Sequence, residues 1–213
     1  MKLVVHELLT LDGVMQGPWS PEEDSSGDFA HGGWMAPFAE LPGWRRVVGE
    51  WFARTSAVLM GRTTYGLMHP YWSRLADTED TVAAVLNSAP KYVVSSTLTC
   101  LDWANAQALR GGWSDQIALL KRVGDGELQV HGSWQLASAL HATGLVDEYR
   151  LIVFPVAVGT GKRLFADGTP PNGFEVLRAE VLDGTVGYLV LRPAPFAKSG
   201  LALDQVTGVA RPA

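Results

Sequence analysis

The stretch Ala57-Val58-Leu59-Met60-Gly61-Arg62-Thr63-Thr64-Tyr65-Gly66 decides how the chain is read. An apolar run stops at Gly-Arg-Thr-Thr and a helix-like segment follows, so the pattern predicts a strand, a glycine turn and a helix start. A helix entered through glycine at a sheet edge exposes its first free N–H groups there. Those groups and the helix dipole favour an anion. Arg62 and the hydroxyls of Thr63 and Thr64 add phosphate donors at the same point. The same residues also suit a tight strand-to-helix connection that holds no ligand, so the rest of the chain has to decide.

On the N-terminal side, Leu3–Leu11 reads as a first strand closed by Asp12-Gly13. Residues 14–37 are rich in Gly, Pro, Ser, Asp and Trp, and a loop of this length inside a compact domain points to function. Its tryptophans and Phe29 favour an ordered loop, read here as a lid, and the capping-box pattern Ser20-Pro21-Glu22-Glu23 predicts one helical turn within it. Phe38 to Arg54 has helical spacing, with Pro42-Gly43 delaying its start.

On the C-terminal side, Val82, Val85 and Leu86 predict a short helix behind Thr78, and Lys91–Ser96 a third strand. A helix through Ile117, Leu120 and Val123, preceded by Ser114, stops at Gly124-Asp125-Gly126, and Leu128–His131 is a fourth strand. Gly132-Ser133 breaks that strand, and Leu136, Ala137 and Leu140 continue helically to Gly144, repeating the strand–glycine–helix unit. From Tyr149 the apolar runs Leu151–Val153, Phe174–Leu182 and Gly187–Leu191 have no long helix between them, which predicts antiparallel strands at a sheet edge. The expected fold class is α/β: a central mixed sheet flanked by helices, mostly parallel with antiparallel C-terminal strands. One domain spans residues 1–193, and 194–213 form a tail.

With 213 residues, 47% of them hydrophobic, the chain can bury a sizeable core. A net charge of −5 and the absence of Lys/Arg runs argue against a nucleic-acid partner. The one cysteine, Cys100, excludes an internal disulfide, and no window approaches the roughly 20 apolar residues of a membrane span. A cytoplasmic protein with no membrane partner is expected. His6, His69 and His141 have no ligand spacing, so no metal is expected.

Ligands of open α/β sheets gather beyond the carboxyl ends of the strands. Three such ends here are Gly61-Arg62-Thr63-Thr64, Ser95-Ser96-Thr97 and Gly132-Ser133, and one phosphorylated cofactor could bridge them. None is a G-x-G-x-x-G fingerprint. For a reduction, a proton donor could be Asp12 or His131; each also has a structural reading, as turn aspartate and as core histidine. Tyr65, Tyr71 and Trp72 could wall a flat pocket or belong to the core, and His31 and Trp34 could contact substrate from the lid, His31 suiting equally a loop residue packed by its aromatic neighbours.

Taken together, Leu11-Asp12-Gly13, Met60-Gly61-Arg62-Thr63-Thr64-Tyr65, Val93-Val94-Ser95-Ser96, His131-Gly132-Ser133 and Phe154-Pro155 to Gly159-Thr160-Gly161-Lys162-Arg163-Leu164-Phe165 give a resemblance. Over roughly residues 2–192 the chain resembles the dihydrofolate reductase-like superfamily, and within it the C-terminal reductase domain of the bacterial bifunctional riboflavin-biosynthesis deaminase-reductase. The resemblance implies NADPH along the strand ends. It places Gly61, Arg62, Thr63 and Thr64 on the pyrophosphate and adenosine-phosphate side, and Ser95, Ser96 and Thr97 at the 2′-phosphate. Gly132, Ser133, Trp134 and Gln135 would meet the pyrophosphate again, and Asp12, Gly13 and Val14 would lie near nicotinamide and substrate.

The implied activity is NADPH-dependent hydride transfer to a small heterocyclic or carbonyl substrate, by a homodimer paired through its late strands. Two positions depart from the pattern. The folate enzymes' helix carboxylate is missing around Trp44-Arg45-Arg46, and His131 stands where the riboflavin enzyme carries an acid. The alternative is a catalytically inactive nucleotide-binding or dimeric interaction protein on the same fold.

Overall fold

The computed structural model describes residues 1–75, 79–197, 201–203 and 210–212. Strands β1 (Lys2–Thr10), β2 (Thr55–Gly61), β3 (Lys91–Val94), β4 (Ala106–Leu109), β5 (Glu127–His131), β6 (Glu148–Phe154), β7 (Gly173–Leu182) and β8 (Val186–Ala194) form one sheet. Its order is β4-β3-β2-β5-β1-β6-β8-β7. From β4 through β6 every neighbouring pair is parallel, and β8 is antiparallel to both β6 and β7. The first of the three late apolar runs therefore differs from expectation: β6 is parallel to β1, and the sheet becomes antiparallel only on its other side.

Helices α1 (Pro42–Phe52), α2 (Arg62–Trp72), α3 (Thr81–Ser88), α4 (Trp113–Val123) and α5 (Trp134–Thr143) cover both faces. Strand β2 shows why its sequence is an unbroken apolar run. Ala57 and Leu59 pack with Ile117, Leu136 and Leu140 of α4 and α5, while Val58 and Met60 pack with Tyr65 and Leu86 of α2 and α3. A strand buried on both faces has no polar side to alternate. A third cluster sets Trp44, Val47 and Trp51 of α1 on Ile152, Phe154, Tyr188 and Val190.

Strand β4 escaped the sequence reading because Ala106-Gln107-Ala108-Leu109 has no β-branched or aromatic residue; pairing with Lys91–Val94 recruits it. Strand β3 stops at Val94, so Ser95 and Ser96 belong to the following loop. Helix α1 starts at Pro42, as the proline suggested, and Phe38 sits in a separate short turn, Ala36–Phe38. Thr78 lies outside the described residues; Asp80 caps α3 by accepting from the Ala83 N–H at 2.8 Å. The tail contains an antiparallel pair, β9 (Leu201–Leu203) with β10 (Ala210–Pro212). No helix among the described residues is long and apolar enough to cross a membrane.

The expected helical turn at 20–23 is a plain turn. The Glu23 carboxylate does reach back, but to the Trp19 N–H at 2.8 Å, without continuing into a helix.

At the amino ends of the central strands lies a buried ionic group. From β6, Arg150 reaches across β1 to Glu127 of β5, donating from Nη2 to Oε1 at 2.6 Å and from Nη1 to Oε2 at 2.9 Å, while its Nε donates to Glu148 at 2.7 Å. Lys2 closes the group on the exposed side of Glu148. Removing one partner of a buried ion pair strands the other, which typically costs about 3–5 kcal/mol, whereas exposed pairs contribute about 0–1. Urea unfolding is expected to show Arg150→Met destabilised by about 3–5 kcal/mol and Lys2→Met by less than about 1.

Candidate active site

Because β1 through β5 run parallel, the glycine turns singled out in the sequence share the carboxyl edge of the sheet. Two of them touch: the Gly61 N–H donates to the Ser133 Oγ at 3.0 Å. Gly132 and Ser133 both hold left-handed backbone, φ +62° and +61°, which is costly for a serine and marks a turn held by its surroundings. Helices α2, α4 and α5 begin at this edge without a side-chain cap, whereas α3, with Asp80, is capped. Arg62 is exposed and its side chain makes no ion pair or hydrogen bond with the described residues.

The third predicted segment lies on the same edge. Ser95 is buried and its hydroxyl accepts the Thr97 and Leu98 N–H groups at 3.2 and 3.0 Å, shaping the loop, while Ser96 and Thr97 are exposed. Trp134 donates its indole N–H to the Arg163 carbonyl at 3.0 Å, and Gln135 is exposed. From this segment the turn's backbone and the Gln135 side chain are the groups suited to a phosphate, rather than the Ser133 and Trp134 side chains.

Asp12 is corrected from proton donor to clamp. Its carboxylate accepts from Thr10 Oγ1 at 2.6 Å, the Gly159 N–H at 2.8 Å and the Val158 N–H at 3.2 Å, and pairs with Arg163 at 3.2 Å. Partial burial raises its pKa, but these hydrogen bonds outweigh that and hold it at about 2. Near neutral pH it has no proton to give.

The Gly159–Arg163 motif fastens the long loop to the body. Lys162 reaches Asp24 at 2.6 Å and Ser26 at 2.7 Å, and its N–H donates to Gln16 at 3.0 Å. Gly161 has φ +122°, and a Cβ there would lie 2.8 Å from Val14 and 2.9 Å from Phe29, so only glycine lets loop and motif close. The lid is a pinned flap.

His131 is also corrected as an acid. Its ring lies between His6 and Phe52, each centroid 4.7 Å away and nearly parallel. Burial first, then the Arg150 guanidinium, holds its pKa at about 3. The same causes, with His131 itself, keep His6 well below the usual histidine range.

Sequence reasoning missed Glu7. Its strand position follows His6↔His131, the last pair joining β1 to β5, so it flanks the point where those strands part. The side chain is buried, Oε1 has no hydrogen-bond partner, and burial pushes its pKa well above the usual carboxylate range, against the opposing pull of the Gly132 backbone N–H. A charged residue inside an otherwise apolar strand was the signal available.

The substrate-wall candidates are not brought together. Tyr65 is buried under α2 and α3, where its hydroxyl accepts the Trp103 N–H at 3.0 Å. Tyr71 and Trp72 sit at the far end of α2, roughly 13–15 Å along its axis from Arg62 at 1.5 Å per residue. Trp34 and Val14 are buried, with the Trp34 indole donating to the Gln16 carbonyl at 2.8 Å; Gly13 is the turn residue at φ +79°. His31 is exposed on the flap, edge-on to Phe29. Among the described residues no group of His, Cys, Asp and Glu could hold a metal.

His131 carries a pH signature. The folded pKa of about 3 lies below the ordinary 6.5, so on acidification the unfolded chain takes up a proton first and stability falls from about pH 6.5 downward. Glu7 has the opposite sign, losing stability as pH rises above its unfolded value, so the comparison must be between proteins that both retain it. The wild-type minus His131→Phe difference in unfolding free energy is expected to change by about 1.4 kcal/mol per pH unit between roughly pH 6 and 4. A difference independent of pH would contradict a neutral His131.

A family model described as the RibD C-terminal domain matches residues 1–187. The uncharacterized protein YyaP of Bacillus subtilis (strain 168) is 29% identical over 120 residues, 55% of this chain and 63% of that protein, so the match spans less than two thirds of this relative. A Shewanella sp. PV-4 protein assigned to riboflavin biosynthesis superposes with TM-score 0.65 at 22% identity, covering 91% of this chain and 99% of the other. Dihydrofolate reductase from Enterococcus faecalis, complexed with NADP(H), superposes with TM-score 0.54 at 12% identity, covering 90% and 96%. At these identities the superpositions establish the dihydrofolate reductase-like fold.

Proposed function

The chain belongs to the RibD C-terminal domain family, a reductase-type fold, and on that premise we propose that it is an NADPH-dependent reductase of a small heterocyclic or carbonyl compound. The observation that carries this reading is the carboxyl edge itself. Three helix N-termini without side-chain caps open on it, and the Arg62 side chain makes no ion pair or hydrogen bond with the described residues. The donor set fits a phosphorylated dinucleotide: N–H groups at the starts of α2 and α5 suit a pyrophosphate, and Arg62, Ser96 and Thr97 suit a further phosphate. NADPH would supply the hydride.

The protein's own part is to fix this edge and to hold a proton near it. Asp12 orders the turn after β1, and the Gly61–Ser133 hydrogen bond sets the spacing of the two glycine turns. We assign the proton to Glu7, a buried carboxyl with an unpartnered oxygen where β1 and β5 separate, whose pKa burial pushes well above the usual carboxylate range. This supplies the acid whose apparent absence favoured a binding-only protein. A homodimer belongs to the same proposal, since among the described residues β7 has one unpaired edge, and it exposes Val176, Leu177 and Val181.

Titration with NADPH and NADH, followed by cofactor fluorescence and thermal shift, tests the cradle. NADPH is expected to bind, and Arg62→Ala to weaken it on the order of ten-fold or more, the range of a charge-assisted hydrogen bond. Binding of neither cofactor would remove the reading. Once a substrate is found by NADPH oxidation, Glu7→Gln is expected to lower kcat about 10²-fold or more with little change in NADPH affinity, and Glu7→Asp to recover part of it. An unchanged kcat in Glu7→Gln would take the proton away from Glu7.

A further inference from the structure

Gln129 of β5 is fully buried and every hydrogen-bonding position of its amide is used. Its Nε2 donates to the Trp51 carbonyl at 2.8 Å and to Glu127 Oε2 at 2.7 Å, and its Oε1 accepts from Thr55 Oγ1 at 2.8 Å. The same Oε1 lies 3.1 Å from His131 Nε2. A carbonyl is an acceptor only, and so is the Glu127 carboxylate, held by Arg150 on both oxygens. Both demand the NH₂ end, so the amide has one orientation and turns an acceptor toward His131. His131 Nε2 must carry a hydrogen.

His6 and Phe52, stacked at 4.7 Å, hold the ring in its plane, and a half-turn back into that plane would set a carbon against the Gln129 oxygen in place of Nε2 and lose the hydrogen bond. The groups packed on it are His6 from β1, Phe52 and Trp51 from α1, and Gln129 from its own strand, with the Arg150 guanidinium of β6 acting from behind His6. Glu127, the carboxylate on this strand face, is engaged by Arg150 and Gln129. Nothing here favours an imidazolium, and a neutral ring with hydrogen on Nε2 has a bare Nδ1. Among the described residues the buried, partnerless side-chain atoms are His6 Nδ1 and Glu7 Oε1. His131 Nδ1 makes no hydrogen bond with the described residues either, and the half-buried ring leaves it open at the end of β5 before Gly132-Ser133.

We propose that Gln129 is a positioning residue that locks His131 as the Nε2–H tautomer, so that Nδ1 is offered to the substrate as a neutral hydrogen-bond acceptor. The substrate class is thereby narrowed to compounds carrying an N–H or O–H donor beside the bond to be reduced. This rests on the reductase reading for its substrate, but the lock itself is a property of the free protein. An analogue without the donor leaves Nδ1 unpaired on binding, which is how such a site discriminates.

The test uses the full chain with ¹⁵N-labelled histidine and long-range ¹H–¹⁵N spectra from pH 5.5 to 8, without ligand. Wild type is expected to show His131 protonated on Nε2 and bare on Nδ1 throughout. Gln129→Met, which removes the acceptor, is expected to give a mixture of tautomers, and Gln129→Glu, which adds a carboxylate, to make the ring titrate within the range. An Nδ1–H tautomer, or ordinary titration near pH 6.5 in wild type, overturns the lock. A second arm adds 2-pyridone or N-methyl-2-pyridone, with and without NADPH. The Nδ1 resonance is expected to move with 2-pyridone alone, which should bind about ten-fold more tightly, the size of one neutral hydrogen bond. Equal responses, or none to either, overturn the acceptor role. Failure of NADPH to bind instead defeats the reductase reading, while the tautomer spectra still decide whether the lock exists.

Discussion

The Arg150 guanidinium, buried across the middle of the sheet, is the constraint on which the rest is built. It joins β6 to β5 over β1 through two carboxylates, so the three central strands share one register at their amino ends. Its charge also propagates along the same face. Glu127 is held on both oxygens, Gln129 is oriented by Glu127, and His131 is oriented by Gln129, while His6 and His131 are held neutral beside the cation. An ion pair at one end of the strands thus sets a protonation state at the other. Buried pairs of this kind are weak evidence of net stability, but here the polar file has almost every member bonded, which makes it specific.

At the carboxyl end the controlling group is Asp12. An aspartate followed by glycine is ordinary turn chemistry, yet this carboxylate also gathers N–H groups from Val158 and Gly159 and the Arg163 guanidinium, more than 140 positions along the chain. The Thr10 hydroxyl and the Gly159 and Val158 N–H groups lower its pKa, and the contacts to Val158, Gly159 and Arg163 fasten the 159–163 segment, which in turn fastens the flap through Lys162 and Gly161. Asp12 organises the turn, and the same hydrogen bonds that let it organise hold its carboxyl ionised. The buried Glu7, with an unpartnered oxygen and no ion pair among the described residues, is the complementary case. Two carboxyls near one strand end are separated in pKa by environment alone.

The sequence by itself determined the repeated strand–glycine–helix units, the mostly parallel sheet and its antiparallel end at β7 and β8, though not that β6 joins the parallel part, because apolar runs and glycine breaks are local signals set by backbone sterics and burial. It also put Gly61-Arg62, Ser95 and Gly132-Ser133 on one edge, since parallel strands bring their carboxyl ends together whatever their order. It could not see β4, which has little intrinsic β-propensity and exists by pairing. Nor could it assign Tyr65, Trp34 or Val14, whose aromatic or apolar character suits a pocket wall and a core equally well. Which groups are acids, which are clamps and which tautomer a histidine holds were decided only by the tertiary structure. Protonation depends on burial and on partners distant in sequence, such as Arg150 for His131 and Gly159 for Asp12, and no local pattern encodes either.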